Sequence, residues 1–178
     1  MKLIILDRDG VINQDSDEYV KSVDEWIPIA GSLEAIARLN QAGYQVLVAT
    51  NQSGVGRGYY DLSTLNAMHQ KMHKLLSKLG AHVDAILFCP HTPEDNCLCR
   101  KPATGMYEEI ANRWGTSLKG VPVVGDTRRD LEPAIAMGAR PILVKTGKGA
   151  QTMLDLSNMK TIEIYENLAH AVDGLLTA

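Results

Sequence analysis

Short apolar runs that alternate with segments of helical spacing constrain the fold of this chain more than any other feature of its sequence. The runs lack the apolar–polar alternation of a half-exposed strand, so each predicts a strand that is covered on both faces. They cover residues 3–6, 46–49, 85–88, 121–124 and 142–144. Strands that alternate with helices form parallel sheets with helices packed on both faces. The sequence therefore predicts an α/β fold with a doubly wound parallel sheet.

Apolar residues at helical spacing predict the helices that connect these strands. The predicted helices lie near residues 32–42, 63–79, 106–114, 131–137 and 168–176, and residues 162–164 predict a short edge strand. Ser32 and Ser63 are expected to begin the first two helices, and Gly43 and Gly80 to end them. The histidines outside the cysteine-rich segment are expected at the surface, namely His69, His73, His82 and His170.

The composition limits the class of protein and its partners. A length of 178 residues is typical of one domain, so residues 1–178 are expected to form a single domain. The net charge of −3 argues against a nucleic acid or an anionic membrane as partner. The longest apolar run, residues 85–89, is too short to span a bilayer, and residues 3–6 are too few for a signal peptide. We therefore expect a cytoplasmic protein, and a monomer, since no long exposed apolar stripe requires a partner.

Polar side chains follow four of the predicted strands. They are Asp7 and Asp9 after the first, Thr50 and Asn51 after the second, Cys89 and His91 after the third, and Asp126 after the fourth. Ligands of open parallel sheets bind outside the carboxyl ends of the strands, so these residues are expected to converge. Two neighbouring carboxylates repel, and a divalent cation keeps both ionised. With Asp126 they would form an oxygen-rich site for Mg²⁺, although a turn with solvated aspartates is the alternative.

Three further groups have the chemistry to bind a phosphate. Residues 50–58 combine a hydroxyl, three glycines and free backbone amides, and a plain glycine-rich loop is the alternative. Lys101 can neutralise charge on a transferring phosphoryl group, and Arg100 offers a planar fork for phosphate or carboxylate. These two residues could also be a solvated basic pair. Asp130 lies one helical turn after Asp126, where it can orient Lys101 or stabilise a helix N-terminus.

A cluster of three cysteines and one histidine predicts a second metal site. The four residues are Cys89, His91, Cys97 and Cys99. Four such ligands suit a closed, tetrahedral, structural zinc site in a reducing compartment, and three buried free cysteines are the alternative. The segment has few apolar residues with which to order itself, so zinc would fix the loop from which Arg100 and Lys101 project.

Four of these segments, taken in order, resemble the signature of the haloacid dehalogenase superfamily of phosphotransferases. The signature begins with DxDx[TV], matched by residues 7–11, and continues with Thr50, Lys101, and Asp126 with Asp130. Only 40 residues separate Asp9 from Thr50, and only 50 separate Thr50 from Lys101. Both intervals are filled by predicted elements, so the resemblance implies a capless Rossmann-like fold. Three loops, at about residues 12–28, 52–60 and 89–102, would then shape an open pocket.

The resemblance to this superfamily implies a role for each motif residue. Asp7 would attack phosphorus and form an aspartyl-phosphate, and Asp9 would protonate the leaving oxygen and then deprotonate the attacking water. Mg²⁺ would be held by Asp7, by the backbone carbonyl of Asp9 and by Asp126. Thr50 and Lys101 would hold the equatorial phosphoryl oxygens.

Residues 7–13, 50–58 and 89–102 are most similar to the family that removes the 7-phosphate of D-glycero-D-manno-heptose 1,7-bisphosphate. This resemblance implies a small sugar bisphosphate as substrate and a role in lipopolysaccharide-core synthesis. It also implies the substrate-binding residues Arg8, Asp15, Asn51, Gln52, Ser53, Arg57 and Arg100. Residues 15–19 depart from the usual pattern, being one residue longer and more acidic.

Two alternatives to this function remain. Histidinol-phosphate phosphatases are similar and have a comparable zinc loop, but Ser53 and Arg57 favour the heptose family. The absence of any sign of an attached dehydratase domain is also less typical of the histidinol enzymes. A catalytically silent zinc-binding scaffold is the second alternative. The presence of both Asp7 and Asp9 favours an active enzyme.

Overall fold

A parallel six-stranded sheet forms the centre of the computed structural model, which describes residues 2–156, 159 and 162–177. The strands are β1 (Lys2–Leu6), β2 (Tyr44–Asn51), β3 (Ala85–Cys89), β4 (Pro122–Gly125), β5 (Arg140–Val144) and β6 (Glu163–Tyr165). They pair in the order β3-β2-β1-β4-β5-β6, and every pair is parallel. The predicted α/β sheet is confirmed, and the edge strand lies one residue further along the chain than expected.

Seven α-helices accompany the strands within the described residues, and all but the last lie between strands. They are α1 (Ser32–Gln41), α2 (Ser53–Gly56), α3 (Leu62–Ser77), α4 (Gly105–Trp114), α5 (Arg128–Ala136), α6 (Gly149–Met153) and α7 (Leu168–Thr177). A 3₁₀ turn, Pro93–Asp95, lies in the cysteine-rich loop. Five of these helices match predicted ones. The short α2 and α6 were not predicted, because four or five residues carry too little periodicity to recognise.

The alternation of side chains along the strands produces two apolar layers, one on each face of the sheet. In β1, Ile4 and Leu6 belong to the layer packed against α1, α3 and α7. Leu3 and Ile5 belong to the opposite layer, which includes Met106 and other residues of α4 and part of α5. The sheet is therefore covered on both faces, which explains why its central strands are continuous apolar runs.

The intervals between the motif residues contain no inserted domain. Between Asp9 and Thr50 the chain forms a loop, α1 and β2, and between Thr50 and Lys101 it forms α2, α3, β3 and the cysteine-rich loop. The capless architecture is thus confirmed. None of the helices in the described part of the chain is long and apolar enough to cross a membrane.

Helix α1 begins at Ser32 as expected, but Ser32 does not cap it. Gly31 is the N-cap of α1, and the buried Ser32 hydroxyl instead donates to the backbone carbonyl of Val11 at 2.8 Å. Helix α3 begins one residue earlier than predicted, after Asp61, whose carboxylate accepts from the Thr64 backbone amide at 2.8 Å. Asp61 directly precedes the first helical residue and is a favoured N-cap residue type, so the helix starts before Ser63.

Candidate active site

A cavity of about 300 Å³ lies at the carboxyl end of the sheet. Its lining includes eleven of the residues that the sequence singled out, namely Asp7, Asp9, Asp15, Asn51, Gln52, Ser53, Arg57, Arg100, Lys101, Asp126 and Asp130. All three predicted pocket loops contribute to it. Arg8 and Thr50 do not line the cavity and are fully or almost fully buried.

Three carboxylates converge on the floor of this cavity. Asp7, Asp126 and Asp130 each present an oxygen within 4.8 Å of the others. Burial raises the pKa of Asp7 to about 7, with a further increase from Asp130 and an opposing effect from Lys101. Burial, Asp130 and Asp7 together raise the pKa of Asp126 to about 9. These carboxylates can all stay ionised only beside a cation, and an all-oxygen donor set of this kind fits Mg²⁺.

Gly10 allows Asp126 to approach the turn that follows β1. Its φ angle of +83° is in the left-handed region that favours glycine, and a Cβ there would overlap the Asp126 carboxylate. The Asp126 Oδ2 atom also accepts from the backbone amide of Lys148 at 2.8 Å. A glycine is therefore required at position 10 if Asp7 and Asp126 are to share a ligand.

The Lys101 ammonium is buried between two of these carboxylates. Its Nζ lies 2.5 Å from Asp130 Oδ1 and 3.1 Å from Asp7 Oδ1, and it donates to the Ala49 carbonyl at 2.7 Å. Burial acts to lower the pKa of Lys101, but Asp130 and Asp7 raise it, so the group stays charged. Asn51 holds the backbone of Lys101 through two hydrogen bonds of 3.0 Å.

Asp130 fulfils both of the roles considered for it. Its Oδ1 atom orients Lys101, while its Oδ2 atom accepts from the backbone amide of Thr127 at 3.0 Å and from the Thr127 hydroxyl at 2.8 Å. The bond from the Thr127 amide is one half of the capping box at the start of α5, in which the Thr127 side chain accepts from the Asp130 backbone amide in return. The helix start and the position of the lysine are therefore fixed by a single carboxylate.

The Asp9 carboxylate is held by donors from three side chains. Arg8 Nη2 lies 2.9 Å from Asp9 Oδ1, Asn13 Nδ2 donates at 2.8 Å, and Gln52 Nε2 donates at 2.8 Å. Burial tends to raise the pKa of Asp9, but the Arg8 charge and these hydrogen bonds lower it below its ordinary value. Gln52 is itself fixed, because Tyr60 Oη donates to its Oε1 atom at 2.6 Å.

The glycine-rich loop does not present the row of free amides that was expected. The amides of residues 55, 57 and 58 donate within the turn, and that of Gly56 donates to the Pro90 carbonyl at 2.9 Å. Residues 53–56 form the helical turn α2, which uses these amides. The Gln52 amide likewise donates to the Cys89 carbonyl at 2.7 Å. This loop is therefore joined to the cysteine-rich loop by two backbone hydrogen bonds.

The four residues of the cysteine-rich cluster come together after β3. The Sγ atoms of Cys89 and Cys99 are 2.9 Å apart, and Cys97 Sγ is 3.6 Å from each. His91 Nδ1 is 3.5 Å from Cys89 Sγ and 3.3 Å from Cys99 Sγ. Tetrahedral zinc with Zn–S bonds of about 2.3 Å separates its ligands by roughly 3.5–3.8 Å. The donor set and most of the spacing fit zinc.

Two cationic residues line the cavity without having been identified from the sequence. Arg129 lies in the first turn of α5, three residues after Asp126, and Lys148 follows β5. Lys148 Nζ lies 3.5 Å from Asp15 and 3.4 Å from Asp17, which accounts for the unusual acidity of residues 15–19. Lys148 could have been identified from the sequence, because ligands bind outside the carboxyl ends of parallel strands and Lys148 follows the fifth predicted strand.

His69 is also misplaced by the sequence analysis, which expected it at the surface. It is 7% exposed, and its Nε2 atom lies 3.2 Å from Arg8 Nη1. Its position four residues after Leu65 and three before Met72 puts it on the buried stripe of α3. The helical spacing therefore predicts a buried position for residue 69, although histidine is a polar residue type.

Comparisons with known proteins find similarity to phosphatases and HAD-like hydrolases. The family model described as polynucleotide kinase 3 phosphatase matches residues 2–128, and the model described as HAD-hydrolase-like matches residues 98–171. The D-glycero-beta-D-manno-heptose-1,7-bisphosphate 7-phosphatase of Bordetella bronchiseptica is 55% identical over 176 residues, which cover 99% of this chain and 98% of the relative. The protein of the same name from Pseudomonas putida is 54% identical over 169 residues, 95% of this chain and 96% of the relative.

A solved structure is equally similar. The D,D-heptose 1,7-bisphosphate phosphatase from B. bronchiseptica, crystallised with magnesium and phosphate, has a TM-score of 0.98 and 55% sequence identity. The match covers 99% of each chain.

Proposed function

The chain belongs to the family of HAD-like heptose-1,7-bisphosphate 7-phosphatases, and we infer from this membership that it hydrolyses the 7-phosphate of D-glycero-beta-D-manno-heptose 1,7-bisphosphate. The observation that carries the conclusion is the 55% identity to a relative of that name along 99% of the chain. The product would be the heptose 1-phosphate, a precursor for the nucleotide-activated heptose of the lipopolysaccharide core.

The first half-reaction uses Asp7 as nucleophile. A carboxylate oxygen of Asp7 attacks the 7-phosphorus, the bond between phosphorus and the sugar oxygen breaks, and Asp9 gives a proton to that oxygen. Lys101, close to Asp7, stabilises the negative charge on the phosphoryl oxygens. The donors around Asp9 disfavour its protonated form, and the negative substrate phosphate is expected to raise its pKa again.

The second half-reaction releases phosphate from Asp7. A water molecule attacks the phosphorus of the aspartyl-phosphate, Asp9 takes the proton from this water, and the Asp7 carboxylate is regenerated. The hydrogen bonds from Arg8, Asn13 and Gln52 favour the ionised Asp9 that this step requires. Thr50 contributes through its hydroxyl, which accepts from Gln52 Nε2 at 2.9 Å.

Two metal ions complete the proposed enzyme. Mg²⁺, held by Asp7, the Asp9 carbonyl and Asp126, would offset the charge of the phosphate that the carboxylate must approach. The raised pKa values of Asp7 and Asp126 support this assignment. Zinc held by the four residues of the cysteine-rich cluster would order the loop that carries Arg100 and Lys101.

The two metals should be separable by chelation. Brief EDTA treatment should remove Mg²⁺ and activity together, and Mg²⁺ alone should restore activity, because that site faces the open cavity. Elemental analysis after this treatment should still find about one zinc ion per chain, since three thiolates hold it. Protein purified without chelators that contained no zinc would contradict the zinc assignment.

Arg100 is the residue we propose for recognition of the second phosphate. It lines the cavity beside Lys101, and its Nη1 atom is 3.4 Å from the His91 carbonyl. Arg100→Ala should lower kcat/KM for the bisphosphate by about 1.5–3 kcal/mol, the usual value of a hydrogen bond to a charged group. A simple monophosphate ester should lose much less. An equal loss for both substrates would show that Arg100 serves the reaction or the fold instead.

A panel of four substrates tests the proposed function. Values of kcat/KM in Mg²⁺ should be highest for one anomer of the heptose bisphosphate, expected to be the beta anomer, and much lower for histidinol phosphate. A 3′-phosphorylated oligonucleotide belongs in the panel because of the polynucleotide kinase 3 phosphatase match. The net charge of −3 and the acidic residues at the cavity disfavour it. A preference for either of the last two substrates would overturn the assignment, and no activity on any of them would favour a silent scaffold.

We also propose that residues 1–178 form a single domain that acts as a cytoplasmic monomer. The pairing of the described strands in one sheet supports the single domain. The three free thiols, which zinc requires in reduced form, support a reducing compartment. Light scattering during gel filtration should give a mass near 19.4 kDa.

A further inference from the structure

The buried guanidinium of Arg8 joins the active site to helix α3. Arg8 is fully buried, and its only ion pair among the described residues is with Asp9. Its Nε and Nη2 atoms lie 3.2 Å and 2.9 Å from Asp9 Oδ1. The remaining nitrogen, Nη1, faces away from the cavity and lies 3.2 Å from His69 Nε2. The guanidinium thus bridges a carboxylate of the site and an imidazole outside it.

This contact fixes the protonation state of His69. A guanidinium has donors only, so Nε2 of His69 must accept and the ring proton must be on Nδ1. Burial, with the Arg8 charge, lowers the pKa of His69 to about 4, which keeps the ring neutral near pH 7. His69 packs against Phe88 of β3, with ring centroids 6.5 Å apart, so the ring itself is confined.

We propose that His69 is a positioning residue for Asp9, and that it acts through Arg8. As a neutral acceptor it fixes the plane of the guanidinium, so that Nε and Nη2 stay directed at Asp9. Without this acceptor, Nη1 would be a buried donor with no partner, and the guanidinium would gain by rotating toward another one. The inference rests on the proposed role of Asp9 as acid and base.

Substitutions at residue 69 separate positioning from packing. His69→Leu keeps an apolar volume without an acceptor and should lower kcat by about 10- to 100-fold, the cost of a misdirected catalytic group. KM should change little, since His69 does not line the cavity. His69→Gln retains an amide oxygen as acceptor and should recover most of kcat. The matched control is Met68→Ala on the same buried stripe, which should lower Tm without lowering kcat at temperatures where the protein is folded.

Three outcomes would overturn the proposal. They are a wild-type kcat in His69→Leu, a failure of His69→Gln to recover kcat, and an equal loss of kcat in Met68→Ala. A readout independent of activity is the ¹⁵N NMR spectrum of the His69 ring. It should show a neutral ring protonated at Nδ1 at pH 7, and a proton on Nε2 would equally overturn the proposal. Failure of the proposed function is distinguishable, because Asp9→Asn would then retain activity while the His69 ring kept this tautomer.

Discussion

Asp7→Asn is expected to lower turnover of the heptose bisphosphate by at least about four orders of magnitude, the range seen when a covalent nucleophile is removed. The amide has the size of the carboxylate but cannot attack phosphorus. The variant should fold normally, because it removes one of three converging carboxylates and so relieves repulsion between them. The measurement is steady-state phosphate release, with circular dichroism and Tm in EDTA to verify folding.

Asp24→Asn is the matched control for this variant. It makes the same chemical change at an exposed aspartate outside the cavity and should leave turnover unchanged. A second check is trapping: wild-type protein quenched in acid during turnover should carry phosphate on Asp7, and the variant should carry none. Substantial activity in purified Asp7→Asn would exclude the covalent mechanism.

Lys101→Met should have the second-largest effect, on rate and stability together. Loss of a donor to the developing charge should lower kcat by about 10²- to 10³-fold for every phosphate ester, in contrast to the selective effect of Arg100→Ala. Lys101 is 2% exposed, so its removal also leaves Asp7 and Asp130 without their buried partner. Breaking a buried ion pair in this way should lower the free energy of unfolding by about 3–5 kcal/mol.

A double variant separates these two effects of Lys101. Lys101→Met combined with Asp130→Asn removes one of the two orphaned charges and should regain part of the lost unfolding free energy, measured by urea denaturation. It should not regain kcat for the bisphosphate or for a simple aryl phosphate. If the double variant recovered both, Lys101 would be a structural residue and would not stabilise the phosphoryl group.

The sequence predicts the convergence of Asp7 and Asp126 because that convergence follows from topology. Parallel strands end at one edge of the sheet, so residues that follow them must meet there.

Arg8 shows where motif-based reasoning fails. Successive side chains in an extended segment point to opposite sides, so a residue between two site aspartates is directed away from the cavity. Similarity to a family placed Arg8 with the substrate, whereas this alternation predicts the buried position that the structure shows.

Other features depend on long-range contacts that a sequence pattern cannot show. The amides of residues 55–58 become unavailable only when α2 forms and the Pro90 carbonyl, more than 30 residues away, arrives to accept from Gly56. Lys148 lies close to Asp15 although more than 130 residues separate them. Such pairings are fixed by tertiary packing and leave no local periodicity.

The two backbone bonds between the glycine-rich and cysteine-rich loops matter to anyone who wishes to redesign the enzyme. Gln52 and Gly56 donate to the carbonyls of Cys89 and Pro90, and Gln52 also holds Asp9. Grafting a foreign sequence over residues 89–102 to obtain a new specificity would therefore disturb Gln52 and, through it, the catalytic Asp9 in the loop after β1. A chimera that transplants residues 50–60 and 89–102 as one cassette should keep its turnover, whereas a chimera carrying either segment alone should lose it.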